Sequence, residues 1–479
     1  MAKEGPCVKC WAALIGILIV VLAFTGVLSP FLEKVWAFVS KSEPLSTPAP
    51  LWQQRLGGTP VSATIAGNTV VVEHRTLVEA RSLGTGSRLW ERKADWAAVT
   101  GGGGNSAVVV GKLLVKGYEL LDPSTGAVIR RDSDAVAVWT YRNAMLDVRC
   151  FDARDCTLTA WDPRGTAPLW TVPMPGIGFV LFADNPDILG TEPLTVTRIA
   201  AQAGGPEAIP PMLGFPIDDK VYVVDTAAGR VLQEMTPARE ERIVVVGGRA
   251  LRITAESRDG TCYYGIVAVD PATGQEVWSN TGINLRTTSG AGCTQRSDPA
   301  GGRNVVVGVA PDTREMVIDA YDGNVLWQGE PGQRLVSVDD SSALVESADG
   351  RTLIGAELRG GVRWDRPVNE KAQASLARYA AILLDQRPDR LIAINQVTGA
   401  ELLNVRSKAD VLAVGPRGVV IGDGRDIAYV PFAGVTPIDP SPGTGGPDDP
   451  GDGDEPGTGP GPGSGPECGG PKQESCPVS

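Results

Sequence analysis

An all-β propeller of four-stranded blades is the fold this sequence predicts, and three observations predict it. A strand-turn-strand unit of fixed chemistry recurs eight times. Its turn glycines recur about every 40 residues, the period of a propeller blade rather than of a helical repeat. Finally, 59 Gly and 37 Pro in 479 residues leave few stretches long enough for helices and favour short strands with many turns.

The clearest copy of the unit is Ile266-Val-Ala-Val-Asp-Pro-Ala-Thr-Gly-Gln-Glu-Val-Trp278. Asp270 accepts hydrogen bonds from the amides of its own turn, Pro271 presets φ at the first corner, and Gly274 supplies the left-handed residue that reverses the chain. Trp278 is too large to be buried by its own hairpin, and a lone hairpin is marginal in water, so the unit requires a neighbour. The other copies span 78–90, 120–129, 158–170, 221–232, 317–327, 353–364 and 391–403. Their turn glycines, Gly86, Gly126, Gly165, Gly229, Gly274, Gly323, Gly360 and Gly399, are separated by 40, 39, 64, 45, 49, 37 and 39 residues. The two long intervals mark insertions or irregular blades at 173–220 and 280–303.

Closure is also legible. Leu51-Trp-Gln-Gln-Arg55 reads as an outer strand carrying an indole with no hairpin partner, whereas 410–430 reads as three strands with no outer one. Pairing them ties the ring shut and removes both open edges. Strict counting gives nine sets of inner strands. Because propellers usually have four to eight blades, one set is expected to be degenerate and the expectation is eight blades, with seven and nine as alternatives.

The pattern Ala-x-Asp-x-x-x-Gly-x-x-x-Trp is complete at Ala268, Asp270, Gly274 and Trp278. It is approached at Ala80, Thr85, Gly86 and Trp90 and at Asp319, Gly323 and Trp327. It resembles the tryptophan-docking repeat of the quinoprotein-like propellers. That group includes pyrroloquinoline-quinone dehydrogenases and the non-catalytic propeller scaffold of the outer-membrane assembly machinery. The resemblance covers about residues 51–432 and implies that Trp52, Trp90, Trp170, Trp278, Trp327 and Trp364 each stack on a neighbouring blade. Asp122, Gly126, Asp225, Gly229 and Gly399 take the turn positions. Arg130, Gln233 and Leu403 stand where an indole is missing, and those junctions are expected to be weaker or differently packed.

Residues 11–28 form an 18-residue run without charge, which as a helix spans roughly 27 Å, close to the hydrocarbon thickness of a bilayer. Trp11 and Trp36 flank it, and Lys3 and Lys9 precede it. This predicts an uncleaved, single-pass signal anchor with residues 1–10 in the cytoplasm and the remainder extracytoplasmic. No small-x-small cleavage site follows the run, which disfavours a cleaved signal peptide. Cys7 and Cys10 read as reduced thiols beside the membrane. Residues 29–50 are expected to hold a juxtamembrane amphipathic helix and a proline-rich linker, with the propeller at 51–435.

Six further cysteines fit an oxidising compartment, and proximity suggests Cys150 with Cys156, Cys262 with Cys293 and Cys468 with Cys476. Residues 436–479 are Pro, Gly and acidic residues that bury too little to fold, ending in a small Cys loop. Arg outnumbers Lys three to one, a composition typical of a high-GC actinobacterium.

Chemistry is narrowed by what is missing. A formal charge of −12 argues against a nucleic-acid surface. The single histidine, His74, excludes histidine-rich metal sites and histidine triads. A quinone-dependent dehydrogenase, with its cofactor over the central channel and calcium bound, is the enzymatic alternative. The chain has neither the adjacent cysteine pair common in such enzymes nor a haem attachment motif. A propeller hydrolase using paired carboxylates is the second alternative, although Asp122, Asp162 and Asp225 are explained by their turns. No catalytic, cofactor or metal residue is assigned. The expected function is a non-catalytic binding or scaffolding module for a protein or cell-wall partner, with the segment from Pro173 to Pro216 as the place to look for a contact surface.

Overall fold

The computed structural model describes residues 43–434 apart from 153, 177–187, 189, 287–292 and 294–297. All of these lie in one compact unit. The predicted membrane span at 11–28, the Cys468 and Cys476 loop and the acidic tail fall outside the described residues. Among the described residues no helix is long and apolar enough to cross a membrane.

Nine antiparallel sheets form, eight of four strands and one of three. Blade 1 is typical: inner strand Ser62–Ala66, then Thr69–Glu73, Val78–Ser82 and outer strand Arg88–Arg92. The second strand of each blade is covered on both faces by neighbouring blades. It therefore reads as an unbroken apolar run, as in Ala107–Gly111, all five residues of which are buried. Outer strands such as Gln275–Thr281 lie at the rim and are mostly exposed or half-buried.

The blades bury their faces pairwise. Blades 1 and 2 share Val71, Val99, Val108 and Leu121, and blades 5 and 6 share Val244, Leu251, Leu285 and Ile318. Blades 8 and 9 share Leu384, Leu391, Val411 and Ile421. One such apolar layer occupies each junction around the ring.

The expected eight blades are corrected to nine. The last blade pairs Asp410–Gly415, Gly418–Asp423 and Asp426–Pro431 with Trp52–Arg55, in the register Trp52 to Tyr429 and Arg55 to Asp426. Because its outer strand comes from the other end of the domain, this blade shows no hairpin of its own in the sequence. No set of strands is degenerate enough to drop out.

Two further features position the ends of the ring and its irregular blade. The stretch before Leu51 is not a free linker: Thr47 exchanges both backbone hydrogen bonds with Arg406 at 2.9 Å. In addition, Ser407 Oγ donates to the Leu45 carbonyl at 2.7 Å. This places residues 45–47 against the outer strand of blade 8, Glu401–Arg406. The irregular blade is blade 4, with only Met212–Ile217, Lys220–Asp225 and Arg230–Met235. Its Asp225 to Gly229 turn corresponds to the third-to-fourth turn of the other blades, so among the described residues the position left unfilled is the innermost.

The disulfide Cys150–Cys156 joins directly opposed residues of one hairpin in blade 3. Cys262–Cys293 ties blade 5 to the connection between the first two strands of blade 6.

Candidate functional site

At five junctions an outer-strand indole lies on the turn glycine of the next blade. The indole N–H groups of Trp52, Trp90, Trp170, Trp278 and Trp364 donate to the carbonyls of Leu83, Pro123, Thr226, Ala320 and Gln396 at 2.7 to 3.1 Å. Beneath them sit Gly86, Gly126, Gly229, Gly323 and Gly399, all with positive φ. A Cβ at Gly86 would come within 2.6 Å of Trp52, and one at Gly126, Gly323 or Gly399 within 2.7 Å of its indole. The motif residues of one hairpin therefore do not form a site together. Trp278 reaches forward to Gly323, whereas Gly274 faces Gln233 of blade 4. Trp327 does not meet Gly360, where a Cβ would strike Glu357 of its own turn. Asp122, Asp225 and Asp270 accept backbone amides of their own turns at 2.9 to 3.0 Å.

Arg130 replaces the indole between blades 2 and 3, and the junction is rebuilt rather than left weak. Its guanidinium lies 4.0 Å from the Trp161 ring centroid, donates to the Gly165 carbonyl at 2.5 Å and to the Tyr118 phenol at 3.2 Å. Beneath it the fully buried Asp147 accepts from Tyr118 at 2.7 Å and from Trp161 Nε1 at 2.9 Å. Burial pushes the Asp147 carboxyl up to about 6. A folded-state value above the unfolded one gives stability that is complete at about pH 4 and lost as pH rises through about 6. Two units correspond to about 3 kcal/mol. Asp147→Asn is thus expected to unfold at the same or higher temperature than wild type at pH 7, the difference shrinking toward pH 4. Thermal unfolding of both proteins across that range checks it.

The most unusual backbone path lies inside the ring. After the outer strand of blade 3, Pro168–Met174, no described residue supplies an inner strand to blade 4. Instead Glu192 pairs with Ala300 of blade 6 and Leu194 packs on the apolar layer between blades 6 and 7. Arg198 reaches Gln373 of blade 8 and Asp410 of blade 9 at 3.2 Å each. Ile199 bridges in parallel to Val411, and Ala203 accepts from the Val414 amide at 2.7 Å. The chain then returns: the Glu207 carbonyl accepts from Arg142 at 2.7 Å and the Ile209 amide donates to Asn143 at 2.8 Å, both in blade 3. Blades 8 and 9 lie half a ring away from blade 4, so residues 190–209 cross the central channel. The free edge of the blade 9 inner strand is covered by this traverse. The segment expected to offer a contact surface is therefore, in its described part, largely engaged inside the molecule.

The traverse also answers the enzymatic alternatives. A quinone over the channel would have to share the space these residues cross, and among the described residues no three His, Cys, Asp or Glu side chains gather to hold a metal. The described residues do not fit that group. For paired carboxylates, the channel offers Glu207, on which the charge of Asp340 acts. Asp340, however, already accepts from the Asn304 amide at 2.7 Å and pairs with Arg303 at 3.3 Å. Partial loss of solvent raises its carboxyl, against those two groups.

A groove of about 610 Å³ lies at the rim between blades 3 and 4. Thr171, Val172, Pro173 and Pro175 form one wall, and Tyr222, Arg230, Val231 and Glu234 the other. Glu234 hydrogen-bonds Lys220, which holds its carboxyl below the ordinary value. Apolar and proline surface thus lies beside a phenol and an ion pair. Sequence periodicity could not reveal this groove. The only signals were the two prolines after Trp170 and the 64-residue interval that follows Gly165.

Residues 154–382 match the family described as Outer membrane protein assembly factor BamB. No curated protein matches the chain. Among solved structures, BamB from Moraxella catarrhalis is 16% identical, with 74% of this chain and 98% of that one covered and a TM-score of 0.34. Quinohemoprotein alcohol dehydrogenase ADHIIG from Pseudomonas putida HK5 is 12% identical, with 83% and 78% covered and a TM-score of 0.35. Sqt1 from Saccharomyces cerevisiae is 11% identical, with 80% and 97% covered and a TM-score of 0.36. At these scores the structural likenesses carry no argument about activity. The chain is a β-propeller of nine blades that resembles, through residues 154–382, the family of the outer membrane protein assembly factor.

Proposed function

We propose that this protein is a membrane-anchored, extracytoplasmic scaffold that binds a protein partner or the cell envelope and performs no chemistry of its own. The observation that carries this reading is the traverse of residues 190–209 through the central channel, which leaves the faces and the rim as the surfaces open to a partner. The family match supports it, since that family is described as an assembly factor. The apolar run at 11–28 supports anchoring, and the two disulfides support an oxidising compartment. The partner contact is assigned to the groove between blades 3 and 4.

The test is crosslinking in intact cells from a photoreactive residue in place of Tyr222, with partner identification by mass spectrometry. One specific partner, lost in Val231→Asp, is the expected result. Dye-linked alcohol or sugar oxidation on titrating the protein with quinone and calcium, with no partner recovered, would overturn the reading. Anchoring is checked separately by resistance of the full chain to alkaline extraction from membranes.

A further inference from the structure

In each blade the second-to-third turn and the connection to the next blade open on one face, and the other turns open on the opposite face. On the first of these faces, two adjacent turns differ from the rest. In blade 2, Leu113, Leu114 and Val115 are 45%, 77% and 56% exposed, and in blade 3 Phe151 is 93% exposed. At the other seven second-to-third hairpin ends the one exposed large hydrophobic side chain is Tyr263 of blade 5, a phenol whose ring lies 5.6 Å from the Arg258 guanidinium, and several are runs such as Asp218-Asp219 or Ala348-Asp-Gly-Arg351.

Both apolar tips are held outward. Leu114 adopts φ 59°, a left-handed conformation that disfavours leucine, while the neighbouring Leu113 amide is fixed to Asp95 at 3.0 Å. Phe151 stands next to Cys150, whose disulfide to Cys156 clamps its hairpin. Exposed Lys112 and Lys116 bracket the blade 2 tip, giving Lys-Leu-Leu-Val-Lys across Gly-containing ends. Bulky apolar side chains between lysines are the chemistry that enters the headgroup layer of an anionic bilayer.

The chain itself says what lies against this face. Leu45 is fixed to Ser407, in the connection from blade 8 to blade 9, and its amide donates to Gln53 at 2.8 Å. Leu45 therefore lies at the end of the blade 8 outer strand that opens on the same face as the apolar tips. Only residues 29–42 separate Glu43 from the apolar run at 11–28, a reach of at most about 50 Å even fully extended.

We propose that Leu113, Leu114, Val115 and Phe151 insert into the anionic lipid surface beside the anchor, giving the propeller a second attachment that fixes which face meets the membrane. This rests on the anchoring reading above. The opposite face, with its docked indoles and turn glycines, is then turned toward the partner's side.

The experiment uses the full chain in phosphatidylcholine nanodiscs, with and without phosphatidylglycerol. A benzophenone amino acid replaces Leu114, Phe151 or, as control, Val397, which is 60% exposed on the opposite face. Lipid adducts at positions 114 and 151 at least tenfold above position 397 are expected, rising several-fold with phosphatidylglycerol. That rise should vanish in Lys112→Glu/Lys116→Glu. Equal yields at the three positions in inserted protein would overturn the inference while leaving anchoring intact. Crosslinking of 114 and 151 in cells to one protein instead of lipid would overturn it too. Should the chain fail to enter the discs, anchoring falls. Adducts at 114 and 151 with free phosphatidylglycerol vesicles would then sustain the lipid contact, and their absence would end it.

Discussion

Trp52→Ala is expected to lower stability by about 3–5 kcal/mol, the range for removing a large buried aromatic side chain. Trp52 is 7% exposed, stacks on Tyr429 with ring centroids 6.2 Å apart, and bonds the Leu83 carbonyl of blade 1. It thus ties blade 9 to blade 1, since its strand belongs to blade 9 and its indole lies on blade 1. The distinctive result is where protection is lost: hydrogen exchange should accelerate first in Asp426–Pro431, the strand it pairs with. Trp327→Ala removes an indole that docks on no turn glycine, and its effect should be smaller and confined to blades 6 and 7. Equal destabilisation by the two substitutions would refute the special role of the closing strand.

The second large effect separates two glycines that look alike in sequence. Gly323 and Gly274 have φ 76° and 71°, so alanine at either costs about 1–2 kcal/mol from the left-handed backbone. At Gly323 the new methyl would also meet Trp278 at 2.7 Å, whereas at Gly274 the nearest atom is Gln233 Nε2 at 3.6 Å. Overpacking of this kind adds about 1–3 kcal/mol. Gly323→Ala should therefore lose roughly 2–5 kcal/mol in denaturant unfolding and Gly274→Ala only the backbone part. Restoring stability to Gly323→Ala by Trp278→Leu would identify the indole as the cause.

These two cases show what the sequence could and could not disclose. The Asp-x-x-x-Gly turn and the following indole are local chemistry, so their recurrence exposed the blade and its period. Which glycine receives an indole depends on the previous blade, and Gln233 removes the contact from the most complete copy of the motif. Ring size is not local either. Nine blades were visible by counting strands, but the closing blade borrows Trp52–Arg55 and so shows no hairpin. Arg130 was recognisable as a missing indole. That its guanidinium would cover Trp161 and sit above a buried Asp147 needed the neighbouring strands in place. The channel traverse was least legible, because single bridges at Glu192 and Ile199 impose no periodic pattern.

The pairing of Arg55 with Asp426 also sets an order of events during biosynthesis. Closing a loop of that span costs about 5 kcal/mol in chain entropy, and nothing offsets it until both ends are present. Synthesised from its N-terminus, the chain has Trp52 waiting with an unpaired edge while eight blades are made. Closure becomes possible only when Pro431 has cleared the ribosome. A truncation anywhere before Asp426 leaves not a smaller ring but an open one, with exposed edges at both ends for quality-control proteases to recognise.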